Sequence, residues 1–239
     1  MSALTSKVEV PPLQFPKEIL NLLIISRGFG GGIDGAKYKY LKKIPAFSIQ
    51  MPELPEFAEQ KEIGMEILRS AIITFKPDIL IFSSRGSLYA SSLLKSQDWS
   101  GPSFCISGLN TTGLCLAFDS SLVCTLVHGI HDTTYSIDRV RSDVQMSNVA
   151  YLREYDDDHS LESLVTSGEF AGLLIELYER GRECEAFEQW IHVLRPIWLT
   201  EELEPKIKGD ELVRKTDLEH IRNMGRGRMG LLDAIKKKG

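Results

Sequence analysis

The sequence predicts an α/β fold, a mostly parallel sheet with helices on both faces in three layers, extended at the C-terminus by a helical appendage. Three observations lead there. Short aliphatic, β-branched runs recur along the chain, and most are followed by a stretch of helical periodicity. The runs are nearly continuous in apolar character, as strands buried on both faces require. The composition is globular: 239 residues with 43% hydrophobic and 26% charged side chains, and a mean hydropathy of -0.10.

Taken in order, Asn21 to Ser26 reads as a buried strand and opens into the glycine-rich stretch Gly28 to Gly35. Lys37 to Lys43 suits a short helix, and Phe47 to Met51 a second strand. Glu53 to Phe75 has a helical stripe at Phe57, Ile63, Ile67, Leu68 and Ile72. Lys76-Pro77 ends it, because proline disfavours helix in the residue before it. Strand Asp78 to Ser83, helix Leu88 to Lys95 and strand Ser103 to Ser107 follow. Asn110 to Asp119 supports either state. Ser121 to Val127 is a strand, Ile137 to Val144 a short helix, and Val149 to Tyr155 the last strand. Leu161 to Arg180 has one helical period through Leu164, Phe170, Leu173, Leu174 and Leu177.

The pattern changes near Gly181, so the expected division is a domain over 17–181 and an extension over 182–239. Glu183 to Leu194 is amphipathic, with Phe187 and Trp190 among its apolar residues, and Pro196 and Pro205 break the chain after it. Lys206 to Gly239 has ten Lys or Arg against five Asp or Glu, which predicts a basic, partly flexible end. On an acidic protein that end is the candidate surface for a protein partner.

Charge and cysteine usage narrow the functional classes. A net charge of -5 supplies no basic field for nucleic acid. Cys105, Cys115, Cys124 and Cys184 lack metal-ligand or CxxC spacing, which predicts reduced thiols and no metal centre. Met1 to Pro16 has no basic segment leading into an apolar run, and no stretch approaches the ~18 apolar residues of a membrane span. A cytoplasmic protein is expected.

The strand that ends in Ser83-Ser84-Arg85-Gly86 runs directly into a helix. A serine on such a turn holds its hydroxyl above the sheet edge, with the next N–H, that of Arg85, aimed at the same space as an oxyanion donor. Gly86 allows the turn to close, whereas Phe82 occupies the position where G-x-S-x-G has its first glycine. His128-Gly129-Ile130-His131-Asp132 follows the Ser121 to Val127 strand, and Asp132 there can orient a histidine or cap a turn. Asp156-Asp157-Asp158-His159 follows the last strand, where the aspartates suit a helix N-terminus and His159 suits a general base.

Serine, acid and histidine in that chain order, each past a strand end, form the α/β-hydrolase pattern. The chain resembles the small, lidless, esterase-like branch of that superfamily through Ser83 to Gly86, His128 to Asp132 and Asp157 to Leu161, over roughly residues 20 to 180. The resemblance implies Ser84 as nucleophile, Asp132 as acid and His159 as base, acting without a cofactor on a small ester or thioester. The family's His-Gly loop corresponds to Arg27-Gly28-Phe29-Gly30-Gly31, so Phe29 N–H would be the second oxyanion donor, with Gly30 as the alternative. Two departures, Phe82 at the elbow and Ser87 in place of a glycine, make a catalytically impaired scaffold the second reading. A third is dinucleotide binding through Gly30, Gly32 and Gly35 of G-x-G-x-x-G, with Glu53 on a ribose. That reading leaves the Ser84, Asp132 and His159 stretches without a role.

Overall fold

A computed structural model describes residues 19–27, 35–117, 123–147 and 150–182. Its six strands are β1 Leu20–Arg27, β2 Phe47–Gln50, β3 Ile79–Ser84, β4 Ser103–Ile106, β5 Cys124–Gly129 and β6 Ala150–Tyr155. They form one all-parallel sheet in the order β2-β1-β3-β4-β5-β6. Among the described residues seven helices accompany it: α1 Ala36–Lys42, α2 Phe57–Phe75, α3 Gly86–Lys95, α4 Thr111–Ala117, α5 Ile137–Gln145, α6 Ser163–Thr166 and α7 Glu169–Arg182.

Strand alternation divides the core into two layers. Ile24 of β1, Ile81 of β3, Ile106 of β4 and Val127 of β5 pack with Leu41 of α1, Leu164 of α6 and Phe170 and Leu174 of α7. Their neighbours Ile25, Phe82, Cys105 and Leu126 are also buried and by alternation face the opposite side. On that side α2, α3, α4 and α5 lie next to one another in sequence order. Right-handed crossovers account for the split: the step from β1 to β2 runs one way along the sheet, and every later step runs the other. The reversal falls between β1 and β3, so their C-terminal ends flank a switch point, where open α/β sheets bind ligands.

Several boundaries differ from the sequence expectation. α2 starts at Phe57, not at Glu53, and residues 51–56 carry no regular structure around Pro52 and Pro55. The single helix expected over 161–180 is two, α6 and α7, separated where Gly168 adopts φ +77°. β5 spans Cys124–Gly129 and so runs past the expected end at Val127, which puts His128 and Gly129 inside the strand. The ambiguous 110–119 stretch contains helix α4. Its first turn is held to α5 by buried Asp143, which accepts bonds from Thr111 Oγ1 and, at 2.8 Å, from Thr112 Oγ1.

Cys105, Cys115 and Cys124 are buried and free. Burial pushes all three thiols up, Cys115 to about 12, so they stay protonated and pack as small apolar groups. Among the described residues no helix is long and apolar enough to cross a membrane. Residues 183–239, Cys184 and the remainder of the expected extension included, lie outside the described residues.

Candidate active site

β3 is buried on both faces over Ile79 to Phe82, then emerges half-buried at Ser83 and Ser84. Ser84 takes φ +48°, the left-handed region that a non-glycine residue enters at a cost of roughly 1–3 kcal/mol. The turn leads straight into α3, whose first N–H groups have no helical carbonyl to meet. Gly86 is required by close approach, because a Cβ built there would lie 2.2 Å from the Ile25 carbonyl oxygen of β1.

The two departures from the elbow pattern have structural accounts. Phe82 is fully buried, paired in the sheet with Ile25 and Cys105, and the turn closes two residues beyond it. Ser87 braces the turn. Its hydroxyl donates to the Ser84 carbonyl at 2.7 Å and accepts from Leu109 N–H at 3.1 Å, tying the elbow to the segment after β4. The Arg85 side chain is exposed and only 3.9 Å from Glu56, a loose surface contact.

Asp132 lies three residues past β5, and its carboxylate is completely buried. Oδ1 accepts from the N–H groups of Thr134 (2.7 Å) and Tyr135 (3.1 Å). The turn-capping role and a histidine-orienting position are therefore both realised by the same side chain. Oδ2 receives His159 Nδ1 at 2.7 Å. It also faces the Nε2 of His128 at 3.2 Å, and that nitrogen donates to the Tyr135 carbonyl at 2.7 Å. His128 is 1% exposed, so a second histidine braces the acid from inside the domain.

His159 lies four residues past β6, on a loop fixed by its neighbours. Gly129 lets the loop cross the end of β5: a Cβ there would sit 2.4 Å from both the Asp157 and Asp158 carbonyl oxygens. Asp157 accepts from Ser163 N–H at the start of α6, and Asp158 from Ser160 N–H, each at 2.7 Å. Burial works against charge on Asp157, but the bonds from Ser163 and Asp158 outweigh it and keep its carboxyl below the ordinary 3.8. The Ser160 hydrogen bonds lower Asp158 in the same direction. A depressed folded-state value contributes stability that is present above pH ~4 and is lost as pH falls below it. Acid titration of the wild type should therefore show stability falling below pH ~4, and Asp157→Asn should have a smaller loss over that window. Thermal midpoints measured from pH 7 to pH 2.5 check this.

His159 Nε2 ends 3.0 Å from Ser84 Oγ. A carboxylate oxygen only accepts, so His159 Nδ1 carries the proton toward Asp132 and the Nε2 lone pair faces the serine hydroxyl. Ser84, His159 and Asp132 thus form a continuous hydrogen-bonded line across the C-terminal ends of β3, β6 and β5. Phe29 and residues 30–34 of the glycine stretch lie outside the described residues, while Glu53 is exposed.

A cavity of about 580 Å³ opens beside this line and includes Ser84 and His159 in its wall. Lys37 also lines it, donating to the Ser160 carbonyl next to His159. Burial lowers the Lys37 ammonium against the opposing pull of Asp157, Glu162 and Asp158. The sequence motifs assigned no role to Lys37, none to Ser87 beyond its departure from the elbow pattern, and none to His128 beyond its place in His-Gly-x-x-Asp. Lys37 meets Ser160 across most of the domain, and the contacts of Ser87 and His128 depend on how the turns after β3 and β5 fold.

No family model matches the sequence, and no curated protein does. Solved structures do. An esterase from Pyrococcus furiosus aligns over 69% of this chain and 84% of its own, with TM-score 0.52 and 10% identity. An α/β-hydrolase enzyme from a lagoon-sediment metagenome aligns over 70% and 93%, with TM-score 0.52 and 13% identity. The chain has an α/β-hydrolase fold. A third such structure, an α/β serine hydrolase homologue from Coxiella burnetii, aligns over 71% and 88%, with TM-score 0.50 and 14% identity. At these identities the likeness is one of α/β-hydrolase architecture, and it comes with neighbours that are hydrolases and esterases.

Proposed function

We propose that the protein is a serine hydrolase acting on a carboxylic ester or thioester, with Ser84 as nucleophile, His159 as general base and acid, and Asp132 as the orienting carboxylate. The observation that carries this reading is the unbroken line from Ser84 Oγ through His159 to buried Asp132, at 3.0 and 2.7 Å. A surface serine and histidine meet by chance more easily than a strained serine, a histidine and a fully buried carboxylate in register.

The chemistry follows from those atoms. Ser84 Oγ attacks the substrate carbonyl carbon as its proton passes to His159 Nε2. The oxyanion that forms is held by Arg85 N–H at the start of α3, with Phe29 N–H as the second proposed donor. His159 then protonates the departing alcohol or thiol, leaving an acyl group on Ser84. Water then attacks the acyl carbon as His159 takes its proton, and His159 returns that proton to Ser84 Oγ as the acid departs. Asp132 keeps the imidazole in one tautomer and balances its positive charge in both halves, and His128 and the two N–H groups hold Asp132 in place.

Steady-state hydrolysis of p-nitrophenyl esters and of the matching acyl thioesters tests the reading. Turnover that saturates with substrate and is lost in His159→Ala is expected. Background-level rates on both series from protein with a cooperative thermal transition would leave the impaired-scaffold reading in its place.

A further inference from the structure

The loop that carries His159 closes on a strained bend. Leu161, two residues on, takes φ +46°, and its side chain is fully buried in the core cluster that also holds Leu41 of α1. A leucine stays in the left-handed region only where its surroundings over-determine the backbone. One such determinant comes from α1. Lys37 donates from Nζ to the Ser160 carbonyl, the oxygen of the peptide that joins Ser160 to Leu161. The same helix reaches the chain again one turn later, where Tyr40 Oη donates to the Gly168 carbonyl at 3.1 Å. The Tyr40 and Phe170 rings stack beside it, 6.1 Å between centroids. Positions 37, 40 and 41 are spaced i, i+3 and i+4, so one face of α1 carries both donors and the buried leucine. The two ties differ in place. Lys37 lines the cavity together with His159 and Ser160, whereas the Tyr40 tie lies beyond α6.

Charge points the same way. Asp157, Asp158 and Glu162 crowd this segment, and all three attract the Lys37 ammonium against the burial that disfavours its charge. Like charges so placed repel one another, and a cation set against them holds the segment together. The bond from the ammonium to the Ser160 carbonyl is charge-assisted, hence among the stronger kinds. We infer that Lys37 is a positioning residue: it fixes the Ser160–Leu161 peptide, and through it the His159 ring, in line with Ser84 and Asp132. The inference rests on the hydrolase reading for what His159 does, and on the loop alone for what Lys37 holds. A shift of a catalytic group by about 1 Å can cost ~100-fold in rate, so a tie one residue from His159 matters to turnover more than to folding.

Kinetics and a spectroscopic reading of the ring test this together. Lys37→Met keeps the aliphatic stem and removes the donor and the charge. With p-nitrophenyl acetate it should lower kcat by about 10- to 100-fold and leave KM within about twofold. Lys37→Arg, which can still donate to the carbonyl, should recover most of that kcat. Tyr40→Phe removes the other tie of α1 and is the control for helix docking. It should lower the thermal midpoint about as much as Lys37→Met, yet leave kcat within about twofold. The His159 Nδ1 proton, identified by NMR from its absence in His159→Ala, reads the ring without turnover. Its resonance should be sharp in the wild type and in Tyr40→Phe, and broadened in Lys37→Met. Unchanged kcat and resonance in Lys37→Met, in wild-type protein that turns over, would overturn the role and keep the hydrolase. An equal fall of kcat in Tyr40→Phe would overturn it as well, leaving only a docked helix. No turnover in the wild type, with broadening confined to Lys37→Met, would keep the hold on the loop and remove the hydrolase.

Discussion

Ser84→Ala is expected to lower kcat by ~10⁴–10⁶-fold, with KM changed little. In the proposed mechanism the hydroxyl forms the acyl bond, and the neighbouring Ser83 Oγ is no substitute, since it faces Ser26 Oγ at 3.0 Å across the β1–β3 pair. What remains would come from the oxyanion N–H groups and from substrate positioning. Stability should hardly move, because Ser84 is half-buried and, among the described residues, its hydroxyl bridges only to His159. A companion variant sharpens the point. Ser84→Gly should be equally inactive yet more stable by about 1 kcal/mol, because glycine takes φ +48° without the clash a Cβ brings. Lost activity alongside a gained thermal midpoint marks strain held for a reactive group, and a simple folding defect gives the opposite sign.

Asp132→Asn should cost about 10⁴ in kcat while the protein stays folded. The asparagine carbonyl can still accept from Thr134 and Tyr135, whose bonds go to Oδ1. Its amide NH2 then takes the position of Oδ2 and donates where the carboxylate accepted. His159 must turn its lone pair to that amide at Nδ1, which puts the ring proton on Nε2 and aims a donor at Ser84 Oγ. Proton abstraction fails although every heavy atom stays in position. Asp132→Ala is a different lesion: it leaves two N–H groups without their acceptor and His128 with one partner fewer, each group costing roughly 1–3 kcal/mol if it stays buried. Comparing kcat with thermal midpoint for the two variants separates tautomer control from turn capping.

Why the sequence carried so much of this site follows from the fold. A parallel sheet collects its strand C-termini on one edge, so Ser84, Asp132 and His159 needed only to follow three strands in order to be brought together. Helix ends were less legible. The α2 start depends on where Pro55 releases the chain, and the α6–α7 break on one glycine at φ +77°, neither of which interrupts the apolar period. Phe82 illustrates the opposite problem. Motif logic expects a small residue there, yet the tight approach is carried by Gly86 against Ile25, four positions later. His128 was visible only as part of His-Gly-x-x-Asp, because its partners, the Tyr135 carbonyl and Asp132 Oδ2, are set by the loop's turn. The cavity was least legible of all. Its lining comes from β1, β3, β4, α1 and the segment after β6, which adjoin one another only in three dimensions.

A fluorophosphonate probe reacts with a serine only when a neighbouring base has made it nucleophilic, so mapping the labelled peptide tests the central assignment directly. The account predicts a single phosphonylated residue, Ser84, in the wild type, with no label in Ser84→Ala and little in His159→Ala. Wild-type protein that is folded and stays unlabelled, or a label carried by another serine, would contradict it.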